Sequence, residues 1–391
     1  MEIHPIVKKI NATYGNAFGG KHIVIRSPGR VNIIGEHTDY NEGFVLPAAI
    51  DKAAYVAVGK REDSLIKLYS EAYKETFETS VEKLLPTDKG WPNYIMGVAD
   101  QMLKRGHKLS GFNLVLDADV PIGAGMSSSA AIECATAFGL NKIFNLNIPK
   151  VELALIAQKA EHTFAKVMCG IMDQFASMFG KKDHVIKLDC RSLEYEYEPF
   201  KLDGIGILLL NTNVEHSLAA SEYNVRRAQC EEGVFLIQKA HPQVKSLRDT
   251  TLQMLKDQVL PVDKEIFTRC KYVVEENIRL LSGCEDLKKG DIKALGNKMY
   301  ETHHGLSKEY NVSCKELDFL VDAVRQKETV LGARMMGGGF GGCTINLVKE
   351  EAIEGIINEI SPAYLKHMGK ELTAYVASVE KGTGEILNVE F

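Results

Sequence analysis

The segment that most constrains the fold is Pro121–Ala131, which has the sequence P-I-G-A-G-M-S-S-S-A-A. It follows a strand-like run (residues 111–119) and precedes a helix-like run (residues 127–144), so it is predicted to turn a strand into a helix. Its glycines permit tight turns and close backbone approach. Free N–H groups at a helix N-terminus favour an anion. One serine would suffice as a helix cap, so three in succession favour a phosphate-binding loop.

A second glycine-rich segment occupies residues 337–342, where five of six positions are glycine. It matches the spacing G-x-G-x-x-G, but it runs into a strand-like segment (residues 342–348), whereas a dinucleotide fingerprint opens a helix. The G-x-x-x-x-G-K-[ST] pattern is absent from the chain. So many glycines carry a large entropic cost. We therefore expect this segment to pack closely against a ligand or the first loop, although a glycine hairpin without function is the alternative.

A polar cluster lies near the N-terminus, within residues 27–41. Glu36, His37, Thr38 and Asp39 stand between Gly35 and Gly43 and are predicted to lie in a loop. Carboxylates in loops commonly accept hydrogen bonds from sugar hydroxyls, but the same residues also form ordinary solvated turns. Arg30, just upstream, would on its own be a surface cation.

A second polar cluster combines Glu161, on the helix predicted over residues 149–167, with Asp173, predicted to lie in a turn. Mg²⁺ takes few protein oxygens, so Glu161 and a loop serine could hold it. Asp173 could orient or deprotonate a hydroxyl nucleophile. Two surface acids are the alternative, and spacing alone does not exclude it.

The chain of 391 residues is longer than a single core usually grows, so two domains are expected. The first half mixes strand-like and helix-like segments, and long helices dominate after residues 190–215. We place the domains at residues 1–200 and 201–391. The scattered strands predict an α+β fold, not a doubly wound parallel sheet.

Composition excludes several classes of protein. Hydrophobic residues make up 45% and charged residues 25%, which is typical of a globular chain. The net charge of −5 argues against a nucleic-acid partner. No apolar run approaches the ~20 residues of a membrane helix, and the N-terminus lacks the apolar region of a secretory signal. The eight cysteines are widely spaced and are expected to be reduced, which fits a cytoplasmic protein. His216, His303 and His304 lack metal-ligand spacing and are expected to be structural.

Phosphoryl transfer needs a phosphate cradle, a divalent cation, a positive group for the developing charge and a residue that positions the acceptor hydroxyl. The segments above supply candidates for all four. Together they resemble the GHMP small-molecule kinases. The first loop is similar to the family's ATP-binding motif and residues 337–342 are similar to its C-terminal glycine motif.

The stretch Gly29–Pro47, G-R-V-N-I-I-G-E-H-T-D-Y-N-E-G-F-V-L-P, resembles the signature of the family members that phosphorylate galactose. The resemblance spans nearly the whole chain, because further similar stretches follow in order at residues 169–175, 189–193, 213–224 and 310–314. It implies an ATP-dependent and Mg²⁺-dependent kinase that converts galactose to galactose 1-phosphate, the entry step of galactose catabolism.

The resemblance also implies roles for individual residues. Asp173 would act as general base or position the anomeric hydroxyl, and Arg30 would stabilise the transition-state charge. The sugar would contact Glu36, His37, Thr38, Asp39, Gly170 and Tyr223. The triphosphate would lie on Gly123, Ala124, Gly125, Met126, Ser127, Ser128 and Ser129. Mg²⁺ would bind Ser129 and Glu161, and the nucleotide base would lie near Ser70 and Trp91.

The implied fold pairs a ribosomal-S5-like N-terminal half with a ferredoxin-like C-terminal half, with the active site between them. Met126 stands where leucine is usual and Met336 where threonine is usual. Two other functions stay open: a related kinase acting on N-acetylgalactosamine or L-arabinose, and a non-catalytic sensor of sugar and ATP. No obligate protein partner is expected.

Overall fold

The computed structural model describes residues 4–200, 203–214 and 219–387. Residues 215–218, which include His216 and part of the similar stretch at 213–224, lie outside the described residues. The described strands are β1 (Ile23–Asn32), β2 (Phe44–Val45), β3 (Pro47–Lys60), β4 (Leu65–Ser70), β5 (Glu75–Ser80), β6 (Phe112–Ala118), β7 (His184–Asp189), β8 (Tyr195–Pro199), β9 (Ile205–Asn211), β10 (Val330–Met335), β11 (Cys343–Lys349), β12 (Thr373–Ala377) and β13 (Gly384–Glu385).

The helices alternate with these strands. The described α-helices are α1 (Pro5–Ala17), α2 (Trp91–Lys104), α3 (Ser128–Ile143), α4 (Lys150–Ala160), α5 (Met172–Phe179), α6 (Ala219–Gln238), α7 (Leu252–Gln258), α8 (Lys264–Lys288), α9 (Ile292–His304), α10 (Lys315–Arg325) and α11 (Ile353–Met368). Two short π-helical segments follow α4 and α9, at Glu161–Ala165 and Gly305–Glu309. Three 3₁₀ turns lie at Asp39–Asn41, Leu247–Asp249 and Glu350–Ala352.

A six-stranded sheet with the order β13-β1-β3-β6-β4-β5 forms the first layer. Its neighbours are antiparallel except β4 and β6, which are parallel. Side chains alternate between its two faces, as strand geometry requires. Val56 and Leu116 belong to the main core with α2–α5, whereas Ala57 and Val115 pack with α1 on the other face. Both faces of the sheet are therefore covered by helices.

A four-stranded antiparallel sheet with the order β10-β11-β9-β12 forms the second layer. Leu208 and Leu210 of β9 pack with α10 and α11, and the alternating Ile207 and Leu209 belong to the main core. A three-stranded sheet, β2-β7-β8, and the helices α6–α9 complete the molecule. In the second core Cys230 and Tyr272 lie beside Tyr310. The α+β prediction is confirmed.

Several predicted boundaries differ from the structure. The helix predicted over residues 149–167 ends as an α-helix at Ala160 and continues as the π-helical segment. Asp173, predicted to lie in a turn, lies in the first turn of α5. Helix α11 contains Pro362 and still continues to Met368. The division at residue 200 stays a prediction, and β13 of the second half pairs with β1 of the first.

None of the helices in the described ranges combines the length and apolar content that crossing a lipid bilayer requires. His303 is buried, accepts a hydrogen bond from the Met335 N–H at 3.2 Å and lies 3.3 Å from an Asp318 carboxylate oxygen. This fits the structural role expected for it.

Candidate active site

The predicted phosphate-binding loop, Pro121–Ala131, which we call the phosphate loop, lies directly against β1. The pairing of β1 with β3 shifts register between Pro28 and Arg30, and the Arg30 N–H donates to the Met126 carbonyl at 3.1 Å. A Cβ atom at Gly29 would lie 2.6 Å from that carbonyl oxygen, closer than side-chain atoms approach. Glycine is therefore required here because the loop and strand backbones are in contact.

The loop uses left-handed backbone at three places before α3 begins. Gly123 and Gly125 both have φ of 73°, and Ser127 has φ of 58°. Ser127 makes no capping hydrogen bond to α3, because its hydroxyl donates to Asp173 instead. The helix N-terminus is thus left to interact with an anion, as the three serines predict.

The glycine-rich segment at 337–342 connects β10 to β11 and packs on the phosphate loop. The Met336 N–H donates to the Cys343 carbonyl at 3.0 Å, which closes the connection. A Cβ atom at Gly337 would lie 3.4 Å from the Gly125 carbonyl oxygen. The predicted close packing of the two glycine loops is confirmed.

Arg30 and Asp173 form a bidentate ion pair. Arg30 Nε and Nη2 donate to Asp173 Oδ1 and Oδ2, each at 2.8 Å, and Arg30 Nη1 donates to the Gly125 carbonyl at 2.5 Å. Burial opposes the charge of Arg30, but Asp173 and Glu36 outweigh it and raise the Arg30 pKa. Planar two-point pairing fixes both side chains in orientation. The guanidinium thus stays charged beside the phosphate loop.

Glu36 connects the polar loop, residues 36–39, to the glycine-rich segment at residues 337–342. Its Oε1 accepts hydrogen bonds from Arg334 Nη2 at 3.0 Å and from the Gly337 N–H at 2.8 Å. Arg334 is fully buried and also donates to the Ile33 carbonyl at 2.8 Å. Thr38 is also fully buried, and its hydroxyl donates to the Gly35 carbonyl at 3.0 Å and the Phe44 carbonyl at 2.5 Å. Thr38 therefore shapes the loop.

His37 is held in place from both sides of its ring. Its φ is 61°, Nδ1 lies 2.7 Å from the Tyr40 hydroxyl, and Nε2 lies 3.2 Å from the Gly338 carbonyl. Burial lowers the pKa of His37 to about 4. Tyr223, on α6, packs against the same ring with centroids 5.2 Å apart. His37 is thus neutral near pH 7 and forms a rigid aromatic wall with Tyr223.

Asp39 begins a 3₁₀ turn and lies against Gly170. A Cβ atom at position 170 would collide with Asp39 Oδ2, so the glycine makes room for this carboxyl group. Burial raises the pKa of Asp39 to about 7, and the neighbouring Asp173 adds to the increase. A carboxyl group poised this way can accept from or donate to a hydroxyl ligand.

Ser129 and Glu161 are hydrogen-bonded to each other, and the charge of Asp173 acts on Glu161. Ser129 Oγ donates to Glu161 Oε1 at 3.0 Å, and Gln174 Nε2 donates to Glu161 Oε2 at 2.7 Å. Burial raises the Glu161 pKa to about 7 and raises that of its fully buried neighbour Glu133 well above the ordinary value.

These residues fit a divalent cation. In the described ranges no three His, Cys, Asp or Glu side chains converge as a protein-enclosed metal centre requires. Mg²⁺, however, keeps several waters and uses one or two protein carboxylates together with substrate phosphates. The charged neighbours that raise the pKa values of Glu161 and Glu133 are other acids. Glu133 Oε1 is buried and has no hydrogen-bond partner among the described residues. A cation would relieve this excess of negative charge.

One cavity of about 460 Å³ brings half of the predicted site residues together. Its wall includes Arg30, Glu36, His37, Asp39, Gly123, Ser129, Glu161, Asp173 and Tyr223. Seven other predicted residues do not line this cavity: Thr38, Gly170, Ala124, Gly125, Met126, Ser127 and Ser128. The contacts given above for Thr38, Gly170 and Ser127 support residues that do line it. A larger cleft of about 850 Å³ elsewhere contains none of the predicted residues.

Ser70 and Trp91 are not on the wall of this cavity either. Trp91 is the first residue of α2, and its indole N–H donates to Glu75 Oε2 at 3.1 Å. Ser70 is buried at the end of β4 and its hydroxyl accepts from the Tyr73 N–H at 3.4 Å. Their role near the nucleotide base stays a prediction.

Comparisons with known proteins agree with this geometry. Residues 12–60 match the galactokinase galactose-binding signature, and residues 93–181 and 285–367 match the N-terminal and C-terminal domains of GHMP kinases. The galactokinase of Thermotoga petrophila is 44% identical over 362 residues, which cover 93% of this chain and 99% of that protein. The chain belongs to the galactokinase family.

Other galactokinases give the same result. That of Roseiflexus is 39% identical and covers 94% of both chains. The crystal structure of Lactococcus lactis galactokinase, complexed with galactose, matches with a TM-score of 0.93 and 32% identity, covering 97% of this chain and all of that one. Methanococcus jannaschii mevalonate kinase shares the fold, with a TM-score of 0.64 and 17% identity.

Relative to this galactokinase-family site, the sequence analysis missed three buried residues. Arg334 holds Glu36 from 298 positions away, which no local pattern reveals. Glu133 stands four positions after Ser129 on α3, so helical spacing could have found it. Gln174 follows Asp173 directly and lies inside a stretch quoted for the family resemblance.

Proposed function

We propose that this member of the galactokinase family transfers the γ-phosphoryl group of ATP to the anomeric hydroxyl of α-D-galactose, giving galactose 1-phosphate and ADP. One observation carries the assignment of residues. The Arg30–Asp173 pair shares the wall of a single cavity with residues of the polar loop (36–39) and with the pair Ser129–Glu161. Acceptor, transferred group and cation can therefore meet at one place.

Asp173 is the residue that receives the anomeric hydroxyl. Its Oδ2 already accepts from Arg30 Nη2 and Ser127, whereas among the described residues Oδ1 accepts only from Arg30 Nε. Oδ1 thus has a free lone pair to accept the hydroxyl proton as the new O–P bond forms. Arg30 keeps the carboxylate oriented and stabilises the negative charge that develops beside it.

The polar loop orients the sugar. Asp39 and the free edge of the Glu36 carboxylate face the cavity, and His37 and Tyr223 form its aromatic wall. Polar groups held this rigidly discriminate between hydroxyl configurations, because a misplaced hydroxyl leaves a buried polar group unpaired. This arrangement supports selection of galactose over glucose.

The phosphates of ATP lie at the N-terminus of α3, on the segment 123–129, where N–H groups and serine hydroxyls can donate. Mg²⁺ would be held by Ser129 and Glu161, and when bound it neutralises charge on the phosphate oxygens. The excess of acidic groups around Glu161 supports this assignment.

The test is ADP release with Mg-ATP against galactose, 2-deoxygalactose, N-acetylgalactosamine, glucose and L-arabinose. We expect turnover with galactose and little with glucose. Turnover confined to N-acetylgalactosamine or L-arabinose would move the assignment to a related kinase. Saturable galactose binding without turnover on any sugar would contradict catalysis and favour a sensor.

A further inference from the structure

Glu133 and Gln174 form a buried layer directly behind Glu161. Gln174 is fully buried, and its amide nitrogen donates both to Glu161 Oε2 at 2.7 Å and to Glu133 Oε2 at 3.1 Å. Ser129 and Glu133 are four residues apart on α3 and therefore share a face of the helix. The layer thus contacts the predicted ligand Glu161 through the amide and shares the face of α3 that carries the other predicted ligand, Ser129.

The two acids of this layer have no basic partner among the described residues. Glu133 is fully buried, and no described residue donates a hydrogen bond to its Oε1. By contrast, the fully buried Glu276 and the almost fully buried Glu36 each form an ion pair with an arginine. Burying an acidic group without a cation is costly, so such a group is retained where something else requires it.

Packing alone does not explain Glu133. The neighbouring positions of α3, Ala130, Cys134 and Ala137, are buried small or apolar residues. A methionine at position 133 would fill similar space, but it would leave an N–H of the buried Gln174 amide without this acceptor. The acceptor oxygen of Glu133 is therefore what needs a reason.

We propose that Glu133 and Gln174 are positioning residues of the divalent-cation site: Gln174 fixes the orientation of the Glu161 carboxylate, and Glu133 anchors the Gln174 amide in that position. The inference rests on the proposed function, because it takes Ser129 and Glu161 as the ligands. Groups that orient a metal ligand typically change metal affinity by about 10- to 100-fold when removed.

The test is the variant Glu133→Met, which removes the acceptor that anchors Gln174, probed with Mn²⁺ in the presence of ADP. The fraction of bound Mn²⁺ is read from the electron paramagnetic resonance signal of the free ion. We expect Mn²⁺ affinity to fall about tenfold. Galactose affinity without nucleotide should be unchanged, and the midpoint of thermal unfolding without metal should stay equal or rise, because a buried acid has been removed.

A second variant keeps the test decisive if Glu133→Met folds poorly. Gln174→Met preserves size but removes the amide that holds Glu161, so it should weaken Mn²⁺ binding as well. The matched control is Glu198→Gln, which removes a buried acid that is ion-paired to Lys288, away from the site. It should lower stability slightly and leave Mn²⁺ affinity unchanged.

The outcomes separate the two claims. If wild-type protein binds Mn²⁺ with ADP and both site variants bind it equally well, the role of Glu133 and Gln174 is refuted and the proposed function stands. If the variants lose only thermal stability, their role is structural and the inference is refuted. If wild-type protein binds no Mn²⁺ with ADP, the cation site itself is refuted.

Discussion

At the scale of single residues, the account depends on Asp173. Asp173→Asn keeps the size of the side chain but removes the charge that pairs with Arg30 and the oxygen that accepts the hydroxyl proton. Loss of a positioned acid or base typically costs 10²- to 10⁴-fold in rate, so we expect kcat to fall by about 10³-fold. Calorimetry should still detect galactose binding, because the polar loop remains. Near-wild-type turnover would show that the role is misassigned.

Asp39 makes the stability of the ligand-free protein depend on pH. Burial raises its pKa from 3.8 to about 7, so the fold favours the protonated form. The stability this provides is fully present below pH 3.8 and is lost as pH rises to about 7. Asp173 and Glu36 face it as acids, Arg30 as a cation, and the Tyr40 and Met172 N–H groups as donors.

We therefore expect Asp39→Asn to flatten the pH dependence of unfolding. Between pH 5 and pH 8 the wild-type protein should lose about 2.5 kcal/mol more than the variant, since one proton contributes about 1.4 kcal/mol per pH unit until the pH passes the raised pKa. Glu161, with a pKa raised to about 7, acts in the same direction and remains in the variant. Urea unfolding at both pH values measures this. Identical pH dependence in the two proteins would contradict the burial argument.

Much of the candidate site could be predicted because its residues stand in short motifs that resemble those of a known family, whereas spacing alone left ordinary alternatives open. Arg30, Glu36, Asp39, Ser129 and Asp173 stand in short motifs whose residue types match the chemistry. Arg334 could not be predicted, because its role arises only when β10 is placed beside the polar loop. The structure also shows why Thr38 and Gly170 stand there: one shapes the loop and the other makes room for a carboxyl group.

At the scale of elements, a matched pair of substitutions can test how the glycine-rich segment at residues 337–342 packs on the phosphate loop. Gly337 has φ of 78°, and its Cβ would lie 3.4 Å from the Gly125 carbonyl oxygen. Gly338 is not in the left-handed region, and its Cβ would lie 3.5 Å from Tyr223, an ordinary contact. Adjacent positions on one loop thus differ in backbone strain.

Gly337→Ala is expected to lower the free energy of unfolding by about 1–2 kcal/mol, because alanine rarely adopts the left-handed backbone. The same change at Gly338 should cost less than about 0.5 kcal/mol. Chemical unfolding of both variants measures the difference. Equal losses would mean that the loop adapts to a side chain and that its packing on the phosphate loop is not tight.

The elements that sequence periodicity missed share a physical cause. The predicted helix at 149–167 leaves α geometry at Glu161, where the side chain is held by Ser129 and Gln174 from other elements. The short α5 was predicted as a turn, because eight residues are too few for a clear helical period. Tertiary contacts determine the local structure of both segments, and both segments carry residues of the candidate site.

At the scale of the whole molecule, the α+β class followed from the order of segments, but the sheet arrangement did not. The strand β13 pairs with β1 across 358 positions, Arg26 opposite Gly384. Such pairing depends on long-range packing and leaves no local signal. The polar loop, the phosphate loop and the glycine-rich segment are likewise distant in sequence, and the fold brings them to one cavity.

The central claim is that this cavity phosphorylates galactose at its anomeric oxygen through Asp173. The most direct measurement is phosphorus and carbon magnetic resonance of the product formed from C1-labelled galactose and Mg-ATP, with wild-type protein and with Asp173→Asn. The account predicts α-galactose 1-phosphate, shown by coupling between phosphorus and the labelled carbon, at a rate about 10³-fold lower in the variant. Phosphate on another oxygen, or equal rates in the two proteins, would contradict it.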